Sequence, residues 1–444
     1  MVVNKMPNTN YYVAMKKTAV PWLKDIPTSW QTAKLKHIFS IKKEIAGEDG
    51  HTVLSVTQTG IKPKDMKDKG QFASDYSKYQ LVKTGDFVMN HMDLLTGWVD
   101  ISQYDGVTSP DYRVFFNLDI NKYDSDYYKF IFQLCYSARI FYGLGQGVAG
   151  FGRWRLPAEM FLNFIVPCPP MVEQKGISNH LTKKCEEIDL LIREAKNAIE
   201  EYRDWKKSLI FEALTKGLNK NVEMKSSGIE WIGDIPVSSR VIRLRYLLKG
   251  YKAGPFGSSL IMDKLNQDGD ILVYTPEHIA NQTTENEKNL YLPPERLEEM
   301  KQFLVNENDI IFPIVGSLGR AMIITSDMPK GIINQRLAKF SLDTDAINQE
   351  YFMWMFGKSS FFSPYIDINC RGSFIVNLTK TIVYDMPIVL PDSIEEQKEV
   401  ASYLNDKCGI IDSLIKEKEE LICDLESYKI SYIYETVTGK RKVV

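Results

Sequence analysis

The sequence predicts a mixed α/β protein that is written twice along one chain of 444 residues. Three observations predict this fold class. A stretch late in the first half recurs late in the second half, and a stretch early in the first half recurs early in the second. Each half also ends in a long run with helical periodicity. Strand-like and helix-like runs alternate between them. The predicted architecture is two mixed α/β segments separated by a pair of long antiparallel helices (a coiled coil), with an internal pseudo-two-fold repeat.

The late stretches give the stronger repeat. Residues 173–192 (EQKGISNHLTKKCEEIDLLI) match residues 396–415 (EQKEVASYLNDKCGIIDSLI) at 10 of 20 positions, with an offset of 223. Residues 15–30 match residues 224–239 at 7 of 16 positions, with an offset of 209, and both contain a WxxDIP box. The segments between the boxes share little identity. A repeated frame with variable inserts is typical of a chain that presents two different surfaces in one geometry.

Residues 171–216 and 394–438 are predicted to form the two long helices. Their apolar residues recur in steps of three and four, the spacing of a coiled-coil seam. The predicted seam consists of Leu181, Cys185, Ile188, Ile192, Ile199, Leu404, Cys408, Ile411, Ile415 and Ile422. A helix of 46 residues spans roughly 70 Å, so the two helices are predicted to pack against each other as a spacer. The alternative is that each helix packs only on its own segment.

The repeat also predicts where the chain ends meet. Val444 corresponds to Asn221 in the first copy, and Met224 corresponds to Met15. Asn221 and Met224 lie at most about 11 Å apart along the chain. We therefore expect Val444 to lie near Met15, which would close the two halves into a ring.

Four segments follow from these patterns. Residues 1–170 form an N-terminal arm and the first variable segment, and residues 171–220 form the first long helix. Residues 221–392 form the second variable segment, and residues 393–444 form the second long helix.

Composition and charge exclude several classes of protein. The chain is 44% hydrophobic and 25% charged, and its 55 Lys and Arg nearly balance its 57 Asp and Glu. The six cysteines show no CxxC spacing, which argues against a zinc cluster and favours a reducing compartment. The N-terminus lacks the apolar core of a signal peptide, and no apolar run reaches about 18 uncharged residues. The sequence therefore predicts a cytoplasmic protein without a membrane partner.

Several short motifs imitate catalytic sites. GQGVAG at 145–150 fits GxGxxG, but it follows an aromatic helix and not the strand that a dinucleotide-binding turn requires. Pro167-Cys168 imitates a methyltransferase nucleophile, and Asp392 with Glu396 imitates a nuclease motif, yet the repeat explains both as parts of the frame. The five histidines have no metal-ligand spacing. We expect no catalytic residue, metal or cofactor on this chain.

The boxes and the repeated helices together resemble the specificity subunit of type I restriction–modification enzymes. The resemblance covers nearly the whole chain and is carried by Trp22–Pro27, Trp231–Pro236, Glu173–Ile192 and Glu396–Ile415, with GPFGSS (254–259) and Gly372–Leu378. It implies that the variable segments are target-recognition domains, each reading one half of a split, asymmetric site in double-stranded DNA. The first domain departs from the pattern, because it has GFGRWR (150–155) where the second has a GSF-type loop.

The resemblance also implies partners. The repeated helices would separate the half-sites and dock two adenine-methylating subunits, through which the restriction subunits join. S-adenosylmethionine, ATP and magnesium would be bound by those partner subunits, so this chain would be a non-catalytic member of the complex.

Candidate DNA-binding residues follow from the chemistry of readout. Polar side chains on positioned loops read base edges in the major groove, while Lys and Arg contact phosphates. The candidates in the first domain are Gln58, Thr59, Lys62, Lys64, Arg153, Trp154 and Arg155, of which Trp154 could stack on an exposed base. The candidates in the second domain are Lys252, Ser258, Ser259, Arg320, Asn334, Gln335, Arg336 and Arg371. The alternative for each is a solvated surface residue or a loop cap.

The charge of the first domain limits its expected affinity for DNA. Residues 22–170 contain 17 Lys and Arg against 16 Asp and Glu. We therefore expect the isolated chain to bind target DNA weakly and with a shallow salt dependence, because few counterions would be released. Two other functions stay open at this point. One is a divergent methyltransferase or nuclease, and the other is a coiled-coil scaffold whose heads bind proteins.

Overall fold

The computed structural model describes residues 11–64, 75–148, 153–255, 265–316, 319–370 and 377–443. The chain divides into two compact units. The first unit comprises Met1–Lys196 and Glu419–Val444, and the second unit comprises Asn197–Lys418. Each long helix contributes one part to each unit. In the described residues, no helix is both long enough and apolar enough to cross a membrane.

The first half of the chain contains fourteen short strands and two short α-helices in its described residues, followed by the first long helix. These elements are β1 (Met15–Lys17), β2 (Asp25–Pro27), β3 (Gln31–Lys34), β4 (Phe39–Lys42), β5 (Leu54–Thr57), β6 (Gly60–Pro63), β7 (Gln80–Val82), β8 (Phe87–Met89), β9 (Val99–Ile101), β10 (Gly106–Thr108), β11 (Arg113–Asn117), α1 (Ser125–Ser137), β12 (Gln146–Val148), β13 (Arg153–Arg155), α2 (Ala158–Asn163), β14 (Ile165–Cys168) and α3 (Met171–Lys216).

The second half of the chain has ten strands and five short α-helices in its described part, followed by the second long helix. These elements are β15 (Met224–Ser226), β16 (Asp234–Pro236), β17 (Arg240–Arg243), β18 (Leu248–Ala253), β19 (Leu272–Tyr274), α4 (Pro276–Asn281), α5 (Leu297–Met300), β20 (Ile310–Pro313), β21 (Met322–Ile323), β22 (Gly331–Ile333), β23 (Leu337–Leu342), α6 (Gln349–Phe356), α7 (Ser363–Asn369), α8 (Lys380–Tyr384), β24 (Pro387–Leu390) and α9 (Ile394–Val437). The predicted helices over 171–216 and 394–438 are therefore confirmed, to within one residue.

The two variable segments share one sheet topology although they share little sequence. Each unit contains a four-stranded antiparallel sheet, with the order β4-β11-β8-β9 in the first and β18-β23-β20-β21 in the second. Phe87 lies opposite Phe115 in the first sheet, and Ile310, 223 positions after Phe87, lies opposite Phe340 in the second. The aromatic faces of α1 and α6 pack on these sheets. The frame repeat therefore extends into the variable segments.

One buried aspartate directly precedes the equivalent strand of each sheet, β8 in the first and β20 in the second. Asp86 accepts a hydrogen bond from Lys42 Nζ at 3.0 Å, and Asp309, 223 positions later, accepts one from Lys339 Nζ at 2.7 Å. Lys42 is on β4, whereas Lys339 is on β23. The two units thus bury the same charge pair with a lysine from different strands.

Two buried glutamines attach the long helices to the variable segments. Gln174 Oε1 accepts the backbone N–H of Asp124 at 2.8 Å, and its Nε2 donates to the carbonyl of Pro169 at 2.8 Å. Gln397 Oε1 accepts the backbone N–H of Asn348 at 2.7 Å. Asp124 and Asn348 are the N-cap residues of α1 and α6. The glutamine of the repeated EQK motif therefore joins the start of each long helix to the N-cap of a shorter helix, and we call Gln174 and Gln397 the glutamine brackets.

In the first unit the two long helices run antiparallel. His180 Nε2 lies 2.7 Å from the Tyr432 hydroxyl, and Asp189, further along α3, accepts from Lys429 Nζ at 2.6 Å, earlier along α9. These two contacts advance in opposite directions along the helices. The antiparallel sense predicted from the repeat is observed within this unit.

The second unit repeats this pairing with its own parts of the helices. Lys206 Nζ donates to Asp412 at 2.6 and 2.7 Å. Lys429 of the first unit lies 223 positions after Lys206, and Asp189 lies 223 positions before Asp412. The same ion pair therefore occurs in both units. Eight of the ten predicted seam residues are buried, and Ile415 and Ile422 are half-buried.

The end of α9 and the residues after it pack onto the first WxxDIP box, within the first unit. Lys440 Nζ donates to the carbonyl of Leu23 at 2.8 Å, and the Tyr434 hydroxyl donates to the carbonyl of the box tryptophan at 3.0 Å. Val444 lies outside the described residues, so its predicted approach to Met15 stays a prediction. The residues just before it do close onto the N-terminal box.

Candidate nucleic-acid interface

The first group of candidates lies on one exposed hairpin. Gln58 and Thr59 form the turn between β5 and β6, and both are exposed. Lys62 Nζ donates to Thr59 Oγ1 at 3.0 Å, while Lys64 follows β6 and is half-buried. The hairpin presents hydroxyl, amide and ammonium groups at its tip, the chemistry that base edges and phosphates require.

A second hairpin carries the aromatic candidate. Trp154 and Arg155 belong to β13, which begins at Arg153 and pairs with β12. The indole Nε1 of Trp154 donates to the carbonyl of Tyr142 at 2.8 Å, and the two rings lie 5.6 Å apart. Arg155 is exposed. The indole N–H of Trp154 is therefore used within the domain, while the guanidinium of Arg155 reaches the surface.

Two charged or titratable residues beside this hairpin were not predicted from the sequence. Arg113 is buried, and its Nη2 donates to the carbonyl of Leu156 at 2.8 Å. Burial lowers the pKa of His91 to about 4, with the positive charges of Arg113 and Arg155 acting in the same direction. His91 is therefore uncharged at neutral pH. A single His after one strand and a single Arg on another give no sequence signal that the two side chains lie close together.

The buried imidazole predicts a pH dependence of stability. The pKa of His91 falls from 6.5 in the unfolded chain to about 4 in the folded chain, so the unfolded chain binds more protons between those values. Stability should fall as the pH drops through this window, by about 1–3 kcal/mol. Urea unfolding of the wild type and of His91→Leu at pH 7.5 and 4.5 measures this loss. The two proteins are expected to differ in pH dependence only through His91.

The variant isolates His91 from the other histidines. His180 also has a lowered pKa, because it is partly buried and lies near Lys184, and it contributes equally to both proteins. The loss of stability between the two pH values should therefore be smaller in His91→Leu. Equal losses in the two proteins would contradict the assignment.

In the second domain, three adjacent candidates occupy one loop. Asn334, Gln335 and Arg336 connect β22 to β23, and the latter two side chains are exposed. Asn334 Oδ1 accepts the backbone N–H of Arg336 at 2.9 Å, which fixes the loop. A Cβ on Gly254 would lie 1.9 Å from the Asn334 carbonyl oxygen, so only glycine permits this approach. The first glycine of GPFGSS thus supports the loop.

Other candidates of the second domain have local partners. Lys252 Nζ donates to Gln302 Oε1 at 2.5 Å, and Arg320 Nη1 donates to the carbonyl of Ala280 at 2.9 Å. Ser258, Ser259 and Arg371 lie outside the described residues. The 334–336 loop is therefore the candidate surface of the second domain. Lys252 and Arg320 instead form hydrogen bonds with Gln302 and Ala280.

Sequence reasoning missed a further group of surface cations. Arg243 Nη1 lies 3.3 Å from Asp385 Oδ1, and Arg245 pairs with the same carboxylate. Lys380 Nζ lies 4.9 Å from the centre of the Tyr384 ring. The alternating arginines of RVIRLR (240–245) were the available signal. Across the described ranges, no group of three or more His, Cys, Asp or Glu side chains could hold a metal ion.

Comparison with protein families places part of the chain in a known domain family. The model of the family "Type I restriction modification DNA specificity domain" matches residues 256–422. The chain is 24% identical over 304 residues to the type I restriction enzyme MjaVIII specificity subunit of Methanocaldococcus jannaschii, covering 66% of each protein. It is 22% identical over 444 residues to the putative type I restriction enzyme MjaX specificity subunit of the same organism, covering 96% of each.

Two solved structures share the fold. A chain from a study of complex assembly and conformational transition of the type I R-M system superposes with a TM-score of 0.69 at 12% identity, covering 93% of this chain and 98% of that one. The HsdS subunit from Thermoanaerobacter tengcongensis superposes with a TM-score of 0.52 at 14% identity, with the same coverage. At these identities the superpositions are evidence of a shared fold.

Proposed function

We propose that the chain is a DNA specificity subunit of a type I restriction–modification system and that it reads a bipartite, asymmetric site in double-stranded DNA, one half with each unit. It is a DNA-recognition subunit and not itself an enzyme. The chemistry is carried out by the methylation and restriction subunits with which such a subunit associates. S-adenosylmethionine, ATP and magnesium are bound by those partners in this proposal.

One observation carries the proposal: two units with one frame present different loops. The sheet order, the buried aspartate and the glutamine bracket occur in both units. The exposed hairpin with Gln58 and Thr59 occurs in the first unit, whereas the loop with Gln335 and Arg336 occurs in the second. Equal frames with unequal polar loops suit the reading of two unequal half-sites.

The repeated helices support the rest of the proposal. The ion pair of Lys206 with Asp412 has its equivalent in Lys429 with Asp189, so the frame offers the same surface twice. Two copies of one methylation subunit would use such a surface, and restriction subunits would join through them. The antiparallel helices would set the spacing of the half-sites, which is at most about two turns of B-DNA.

The test is the adenine methylation pattern of host DNA, sequenced with and without this gene. We expect deletion to remove one split, asymmetric methylated motif, because the methylation subunits have no target without their reader. Replacing residues 28–168 by the equivalent segment of a relative should change one half of the motif and leave the other half intact. Persistence of the motif after deletion would contradict the proposal and favour a protein-binding scaffold.

A further inference from the structure

The loop between β8 and β9 (residues 90–98) lies beside both hairpins that carry the DNA-reading candidates of the first unit. The backbone N–H of Leu94 donates to the carbonyl of Trp154, on β13, at 3.2 Å. The next residue, Leu95, lines a groove of about 860 Å³ that the hairpin tip at Gln58 also borders. The loop therefore contacts one hairpin directly and shares a surface groove with the other.

The backbone of this loop is held in one conformation by Asp93. One carboxylate oxygen accepts the backbone N–H of Leu95 at 2.8 Å and that of Thr96 at 3.1 Å, and the other oxygen accepts the Thr96 hydroxyl. A Cβ on Gly97 would lie 2.1 Å from the Asp93 carbonyl oxygen, so the loop closes only with glycine there. The position of Leu95 is therefore fixed by its own loop.

The two adjacent leucines of the loop have different environments. Leu94 is 2% exposed and belongs to the core of the first unit, whereas Leu95 is 51% exposed. Because Leu94 anchors the loop, the core does not require the side chain of Leu95. Single exposed leucines are common on protein surfaces, so exposure by itself identifies no contact. What distinguishes Leu95 is its place beside polar side chains that are candidates for reading bases.

The side chains at this edge suit an A·T base pair. In the major groove of DNA, a glutamine amide can bond to N6 and N7 of adenine, and an apolar side chain packs against the C5 methyl group of thymine. Gln58 supplies the amide and Leu95 the apolar side chain, at the border of one groove. Lys62, on the same hairpin as Gln58, supplies a cation for the phosphates.

The carboxylates of the groove leave this edge accessible to DNA. Three of the four described ones, Glu186, Asp189 and Glu426, belong to the long helices and not to the variable segment that carries Leu95. The fourth, Asp100, is half-buried on β9. Four cations line the groove as well, so its formal charge is balanced. A duplex that meets the edge formed by the variable segment would present base edges to Leu95.

We propose that Leu95 packs against the C5 methyl group of a thymine in the half-site that the first unit reads, and that it thereby selects an A·T base pair at that position. This inference rests on the proposed function, since it takes double-stranded DNA as the partner. It adds a specificity-determining residue and the chemical group that this residue recognises. Removing the thymine methyl group and removing the leucine side chain would abolish the same contact.

The test measures binding of the assembled complex, this chain with its methylation subunits, to duplexes that contain the methylated motif of host DNA. Each thymine in the half-site that changes when residues 28–168 are replaced is exchanged in turn for deoxyuridine, which lacks only the methyl group. We expect one exchange to weaken binding by the wild type about three- to fivefold, the size expected for one buried methyl group. Leu95→Ala should bind the unmodified duplex at least about threefold more weakly than the wild type does, and should not distinguish the two duplexes.

Leu118→Ala is the matched control, because Leu118 is 50% exposed and is not among the described residues that line the groove. It should bind and discriminate as the wild type does, and both variants should keep the wild-type thermal unfolding. Unchanged binding by Leu95→Ala, no effect at any thymine, or equal effects of deoxyuridine on the wild type and Leu95→Ala would overturn the inference and leave the proposed function standing. Loss of assembly with the methylation subunits in Leu95→Ala would overturn it too, by assigning Leu95 to a protein contact. Failure of the wild-type complex to bind the motif would overturn both proposals.

Discussion

Replacing Asp309 by alanine is expected to lower the free energy of unfolding of the second unit by about 3–5 kcal/mol. The Asp309 carboxylate accepts hydrogen bonds from Lys339 Nζ at 2.7 Å, from Ser341 Oγ at 2.5 Å and from the backbone N–H of Asn306 at 2.9 Å. Asp309 is 2% exposed. Its removal would leave the largely buried ammonium group of Lys339 without its counter-charge, which is the costly way to break such a pair.

Urea unfolding of the full chain measures this loss, and hydrogen exchange of the β20 amides shows where it occurs. Asp343→Ala is the control, because its pair with Lys249 is at the surface, and we expect it to change stability little. The double variant Asp309→Ala with Lys339→Met should recover part of the loss by removing the unpaired charge. A single variant as stable as the control would show that Lys339 is solvated in the folded chain.

The second large effect is expected at the glutamine brackets, where Gln174→Ala and Gln397→Ala should each cost about 2–4 kcal/mol. Both glutamines are 1% exposed. Each accepts the N–H of a helix N-cap residue and donates to a carbonyl at the start of its long helix. Alanine would leave these backbone groups buried and unpaired, which costs more than the net value of the bonds.

Because the brackets are equivalent, their losses should be similar and confined to the unit that each one serves. Thermal unfolding gives the size of each loss, and hydrogen exchange of α1 and α6 gives its location. The neighbouring exposed residue provides the control, since Lys175→Ala removes no buried partner. A loss at only one bracket would mean that the frame is not equivalent in the two units.

Most of the frame could be predicted from the sequence because it depends on local periodicity and repetition. The bounds of α3 and α9 follow from apolar spacing, and eight of the ten predicted seam residues are buried as that spacing requires. The repeat also predicted that Gln174 and Gln397 of the two EQK motifs occupy equivalent positions. Its role as a bracket could not be read from the sequence, because its partners Asp124 and Asn348 lie about fifty residues earlier in the chain.

The candidate interface was predicted less completely. Gln58, Thr59 and Lys62 do share one exposed hairpin, and Gln335 and Arg336 share one exposed loop. Trp154 and Lys252 looked the same in the sequence, yet the structure gives the first a partner in Tyr142 and the second a partner in Gln302. Whether a polar side chain faces solvent or a neighbour depends on segments far away in the sequence.

The sequence by itself determined the repeated frame and the long helices, since these rest on residue identity and spacing. Tertiary structure decided which charges are buried and which surfaces exist. Asp86 and Asp309 obtain their lysines from different strands. The physical reason is that electrostatic and packing energies depend on distance in space, which chain order does not fix until the sheet and the helices have assembled.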